Sequence, residues 1–102
     1  MKASELPDGE PVIVDAVRTP VGKRGGALQG MHAAALLAEV LNAICERTGL
    51  PRDQVDDVVA GCAAQVGEQA GNIARTGLLM GGFPFSVPGV TVTRACGSSQ
   101  QA

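Results

Sequence analysis

Three short β-branched runs alternate with two segments of helical spacing, and that order leaves few architectures open. The first run, Val12-Ile13-Val14-Asp15-Ala16-Val17, is mostly apolar, as suits a strand covered on both faces in a parallel sheet. Arg18-Thr19-Pro20 ends it, and a loop rich in glycine (Gly22, Gly25, Gly26, Gly30) follows. Residues 31–48 are predicted helical, because Leu37, Val40, Leu41 and Ile44 fall at i, i+3, i+4 and i+7. His32, Glu39, Asn42 and Glu46 take the other side, and Gly49 followed by Pro51 stops the helix.

Residues 55–62 read as a second strand, weakened at its start by Asp56 and Asp57. Residues 72–80 read as a second helix, whose interior Gly77 costs about 1 kcal/mol relative to alanine unless a close packing contact needs it. Gly81-Gly82-Phe83-Pro84 ends that helix, Pro88-Gly89 marks a turn, and residues 90–93 form a third β-branched run. Strand, helix, strand, helix, strand with linkers of this size predicts βαβαβ connectivity: an α/β fold with a parallel sheet and right-handed crossovers. Residues 1–10 read as a polar leader and 11–102 as part of one domain. Residues 97–102 allow only about 9 Å of helix, and three parallel strands make a poor sheet. The expectation is the front piece of a larger fold.

The charge balance, 8 Lys+Arg against 10 Asp+Glu, supplies no phosphate-neutralising field, and two Phe with no Trp or Tyr supply no stacking platform. Both argue against a nucleic-acid partner. No run approaches the roughly 18 apolar residues of a membrane span, and the N-terminus lacks the apolar core of a secretory signal. The three cysteines, Cys45, Cys62 and Cys96, form no C-x-x-C pair, and the single histidine, His32, is far from all of them in sequence. No metal site is expected; reduced thiols in the cytoplasm are.

Cys96 is placed where the third strand gives way to Gly97-Ser98-Ser99, a stretch of small residues where a helix would begin. Unpaired N–H groups at a helix start stabilise a thiolate and can donate to an acyl oxyanion, so the pattern fits a nucleophile attacking a thioester or carbonyl. It equally fits a small buried hydrophobe. Cys45 adjoins the apolar stripe and Cys62 ends a strand beside Gly61; both are expected to be structural. His32 is the sole candidate base in the chain, but its position near a helix start on the polar face predicts a solvent-exposed or capping histidine. Gly22-Lys23-Arg24-Gly25-Gly26 is no phosphate loop, since Val17 stands where the first glycine belongs and Arg24 where Ser or Thr would bind magnesium; a solvated basic turn is expected. Asn72 and Arg75 read as a solvated face or a local hydrogen bond, or else as residues that position the Cys96 loop.

Together these segments resemble the thiolase family, the acetyl-CoA acetyltransferases and 3-ketoacyl-CoA thiolases. Three stretches carry the resemblance in order and at the expected spacing. They are Asp15-Ala16-Val17-Arg18-Thr19-Pro20-Val21-Gly22-Lys23, Ala60-Gly61-Cys62-Ala63-Ala64-Gln65 continuing through Gly67-Glu68 to Asn72-Ile73-Ala74-Arg75, and residues 87–102 around Arg94-Ala95-Cys96-Gly97-Ser98-Ser99. The resemblance implies a fold of two similar halves, of which this chain covers most of the first. It implies that Cys96 takes an acyl group from acyl-CoA as a thioester, with coenzyme A a substrate and no separate cofactor. A family histidine activates that cysteine and a second cysteine moves protons; both belong to later sequence, and His32 matches neither. A homo-oligomer, dimer or tetramer, is implied as well. Ser99 departs from the glycine of many members, at little steric cost. A ketosynthase relative is the nearest alternative, disfavoured by the Arg-Thr-Pro-x-Gly-Lys opening. A non-catalytic fragment or assembly piece is the other, and the 102 residues alone are expected to be inactive.

Overall fold

The computed structural model describes residues 11–102; the leader assigned to residues 1–10 lies outside the described residues. The order is helix α1 (Ala33–Thr48), strand β1 (Val58–Gly61), helix α2 (Ile73–Met80), strand β2 (Gly89–Val92) and a single helical turn, α3 (Ser98–Gln101). β1 and β2 pair in parallel, with Val58 opposite Gly89 and Gly61 opposite Val92. Parallel neighbours need a crossover, and α2 is that crossover. The α/β class expected from the alternation therefore stands.

Each helix begins and ends where its sequence dictates. His32 is the N-cap of α1, its Nδ1 accepting from the Ala34 N–H at 3.1 Å, and Glu68 Oε2 accepts from the Ala33 N–H at 3.0 Å. Two of the N–H groups a helix start leaves orphaned are thereby satisfied. Gly49 closes α1 at φ +69°, the left-handed conformation glycine adopts freely. Asn72 caps α2 by accepting from the Arg75 N–H at 3.2 Å.

Cys45, Val58, Ala74, Leu78, Phe83 and Val87 form the main core, with Leu41, Ile44, Val55 and Ala60 packed against it; Ala34, Cys62 and Ile73 form a second cluster with Ala33 and Leu37. The apolar stripe of α1 thus faces α2 and the sheet, as its spacing requires. At Gly77 the two helices are in close contact: a Cβ there would lie 2.7 Å from Leu37 Cδ2. That contact is the packing reason for a glycine inside a helix.

The first expected strand is a correction. Residues 12–17 take no regular secondary structure, and Val12, Ile13 and Val14 are exposed, Ile13 at 92%. β-branched composition makes a strand only where a neighbour offers its backbone N–H and C=O groups, and among the described residues the ladder consists of β1 and β2 paired with each other. The segment is tied to α1 instead, through an ion pair from Arg47 Nε to Asp15 Oδ2 at 3.1 Å. β1 is also shorter than expected. Val55 donates its N–H to Arg52 O, closing a 3₁₀ turn, and Asp56 and Asp57 are exposed before pairing begins at Val58.

Candidate active site

Because β1 and β2 are parallel, the loops that follow them leave from the same edge of the sheet. The two exits are bonded to one another. The Cys62 N–H donates to Val92 O at 3.0 Å, and Thr93 Oγ1 lies 2.9 Å from Cys62 O and 2.8 Å from Gln65 Oε1, its proton available to either. Gln65 Nε2 in turn donates to Gly71 O at 2.8 Å, drawing the loop between β1 and α2 together.

Cys96 sits at this edge on a tight turn between β2 and α3. Ala95 adopts φ +46°, the left-handed region that a residue with a Cβ rarely enters, so the chain reverses just before the cysteine. The Gly97 N–H donates to Arg94 O at 2.9 Å and the Ser98 N–H to Ala95 O at 3.3 Å. Ser98 Oγ adds two more bonds, accepting from the Arg94 N–H at 2.8 Å and donating to Ala95 O at 2.7 Å. The cysteine is carried outward: Cys96 is exposed, whereas Cys45 and Cys62 are buried. Cys62 Sγ is occupied besides, donating to Ala64 O.

The base of the turn is packed on β1. A Cβ at Gly61 would overlap the Ser99 nitrogen and Cα and the Ser98 carbonyl carbon, so α3 lies directly on the strand because residue 61 has no side chain. Beside the turn, Arg94, Gly97, Gln100 and Gln101 line an open polar cleft of about 490 Å³, with Arg94 donating to Gln101 Oε1 across it. The cleft is lined by guanidinium and amide groups, the kind of donors that favour an oxygen gaining negative charge.

The other candidates separate cleanly. His32 spends Nδ1 on the cap of α1, the role expected from its position. Gly22 to Gly30 form an exposed succession of turns, with the Gly26 N–H donating to Lys23 O, and Lys23 and Arg24 are solvated. Asn72 and Arg75 serve the strand that leads to the turn. Asn72 Nδ2 donates to Gly89 O at 2.7 Å, Asn72 Oδ1 accepts from Thr91 Oγ1 at 2.7 Å, and Arg75 donates to Val87 O and, at 3.0 Å, to Phe85 O. The pair makes local hydrogen bonds, as one of the readings expected, and holds the start of β2; none of these bonds reaches the loop around Cys96. Sequence reasoning missed Ala95, Ser98, Gly61 and Thr93. For Gly61 a signal existed, a glycine within a strand, which marks close approach of another backbone. Among the described residues no cluster of His, Cys, Asp and Glu has metal-binding placement, and no helix is long and apolar enough to cross a membrane.

Comparison with known proteins identifies the family of the chain. Residues 11–102 match the family described as thiolase, N-terminal domain. A steroid 3-ketoacyl-CoA thiolase of Mycobacterium tuberculosis is 56% identical over 93 residues, covering 91% of this chain and 23% of the relative. A β-ketoadipyl-CoA thiolase of Pseudomonas putida is 50% identical over 91 residues, 88% of this chain and 23% of its own. Among solved structures, the acetyl-CoA acetyltransferase of Bacillus anthracis superimposes with a TM-score of 0.74 at 39% identity, over 84% of this chain and 22% of that one. The chain thus spans about a quarter of the length of the relatives it matches. With the family match running from residue 11 to residue 102, this chain belongs to the thiolase family.

Proposed function

We propose that this chain is the N-terminal segment of an acyl-CoA C-acyltransferase and that Cys96 is its acyl-accepting nucleophile. One observation carries the reading: of three cysteines, Cys96 is the exposed one, and it is presented on a strained turn at the exit edge of two parallel strands. In the cleavage direction the Cys96 thiolate attacks the 3-keto carbon of a 3-ketoacyl-CoA. The bond between that carbon and the adjacent CH₂ breaks, its electron pair leaves on acetyl-CoA as an enolate, and a proton completes the first product. The acyl group stays on sulfur as a thioester. The thiol of a second coenzyme A then attacks that thioester, releasing the shortened acyl-CoA and regenerating the Cys96 sulfur. Condensation of acetyl-CoA runs the same steps in reverse.

Acyl-CoA and coenzyme A are the partners this chemistry requires. The domain is taken as 11–102 preceded by a leader, the full-length protein as a homo-oligomer, and its compartment as the cytoplasm, where thiols stay reduced. The 102 residues alone are expected to turn over no substrate. Ile13, Val21 and Phe85 are each at least 85% exposed, and an apolar cleft of about 270 Å³ opens between α1 and β1. Surface of that kind is ordinarily covered in a catalytically competent fold.

The test is acyl-enzyme formation in the full-length protein. Incubation with a 3-ketoacyl-CoA or acetyl-CoA should add one acyl mass to the peptide containing Cys96, and Cys96→Ala should abolish both the adduct and thiolysis. Thiolysis retained in that variant refutes the assignment.

A further inference from the structure

We infer that Ser98 is a positioning residue for the Cys96 sulfur, its hydroxyl closing the turn on which the cysteine is carried; this rests on the reading of Cys96 as the acyl acceptor. Among the described residues Ser98 is the one buried polar side chain, 3% exposed. A buried hydroxyl must be bonded, and this one is bonded twice, on either side of the same peptide unit: it accepts from the Arg94 N–H at 2.8 Å and donates to Ala95 O at 2.7 Å. Ala95 O already accepts from the Ser98 N–H, so the second bond to it adds rigidity that the start of α3 does not need.

What the clamp holds is Ala95 at φ +46°. A residue with a Cβ stays there only where its surroundings over-determine it. The two bonds of Ser98 Oγ, the Gly97 N–H to Arg94 O bond and the contact of the Ser98 backbone with Gly61 supply that surrounding. Cys96 is the residue the clamp encloses but does not touch through its side chain. Its sulfur is therefore held by the backbone on both sides while remaining free to react. Without the hydroxyl, Arg94 and Ala95 can relax toward negative φ at residue 95, and the sulfur swings with them. A thiol displaced by about an ångström still binds substrate beside it but meets the carbonyl carbon off its line of attack.

The experiment compares Ser98→Ala, Ser98→Thr and each combined with Ala95→Gly in the full-length protein, reading steady-state constants and the rapid-quench rate of Cys96 acylation. Ser98→Ala is expected to lower kcat and the acylation rate by about 10- to 100-fold while KM for acyl-CoA stays within about twofold. Ser98→Thr, which keeps the hydroxyl, should recover most of the rate. Ala95→Gly should recover part of it in the Ser98→Ala background, because glycine holds the left-handed turn without help. If Ser98→Ala alone does not fold, the Ala95→Gly background carries the same comparison of hydroxyl with methyl. Hydrogen exchange of the Arg94 amide supplies a readout independent of turnover, and its protection should drop at least about tenfold in Ser98→Ala while Val58, whose N–H is bonded to Pro88 O, keeps its own. Wild-type acylation in Ser98→Ala, or Ser98→Thr as slow as Ser98→Ala, or unchanged Arg94 exchange, overturns the inference. If the wild-type protein is never acylated on Cys96, the nucleophile reading fails by itself, and the Arg94 amide still decides whether the hydroxyl closes the turn.

Discussion

Replacing Gly61 with alanine adds one methyl group at the point where β1 carries α3. Its Cβ would sit inside the van der Waals envelope of the Ser99 nitrogen and Cα and the Ser98 carbonyl carbon, all of them backbone atoms. No rotamer change relieves a clash with backbone, so one of the two segments must move. Ordinary contact between heavy atoms lies near 3.5–4.0 Å, which demands a retreat of roughly 1 Å or more by α3. β1 is the poorer candidate to yield, since Gly61 is paired with Val92 and the Cys62 N–H is bonded to Val92 O. Overpacking of this kind costs about 1–3 kcal/mol of stability. The catalytic effect is larger in proportion: a 1 Å displacement of a reacting group lowers rate by about 10²-fold, equivalent to about 2.7 kcal/mol of barrier. Gly61→Ala is therefore expected to acylate Cys96 about 100-fold more slowly than wild type, measured by rapid quench and peptide mass, alongside a lowered denaturation midpoint. Gly30→Ala is the control, because a Cβ there meets no atom within 4 Å. A Gly61→Ala protein that acylates within about threefold of wild type with unchanged stability would show that α3 does not depend on that contact.

Asn72→Ala removes a helix cap and two bonds to β2 together, and should destabilise the domain by about 1–2 kcal/mol in chemical denaturation; Asn72→Asp, which keeps the capping oxygen, should recover part of that. His32→Ala should lower stability by about 0.5–1 kcal/mol through its cap while leaving the rate of Cys96 acylation unaltered, and a large loss of rate would return His32 to the list of bases. In the folded protein iodoacetamide should modify Cys96 ahead of Cys45 and Cys62, which are 5% and 7% exposed. Peptide mapping that finds Cys62 labelled as fast as Cys96 would contradict the placement of the two sulfurs.

What was legible in the sequence was whatever repeats or punctuates. The four apolar positions of α1 recur over two turns, and Gly49 and Pro51 mark its end, so the helix was found to within two residues of its start. The anomaly of Gly77 pointed to a close packing contact, which the structure supplies in Leu37, whereas Asn72, read as the first helical residue, is the cap. Residues 12–17 show the limit of composition. β-branched residues announce a willingness to be a strand, but the ladder is made by a neighbour, and no local pattern states whether one is there. The turn at Cys96 shows a different limit. Its small residues were visible, whereas the positive φ of Ala95 and the two bonds of Ser98 are consequences of backbone geometry that alanine and serine do not advertise.

The bond network joining the exits of β1 and β2 has an implication for how relatives diverge. Thr93 reaches across to Cys62 and Gln65, and Gln65 reaches on to Gly71, so the connection before α2 is wired to the strand end that leads to Cys96 although some thirty positions separate them along the chain. A change of length or residue type in that connection would reset the reach of the sulfur without touching it. On the proposed acyl-transfer reading, exchanging residues 63–71 between relatives is expected to change the rate of Cys96 acylation with Cys96 itself untouched, as rapid-quench measurement would show.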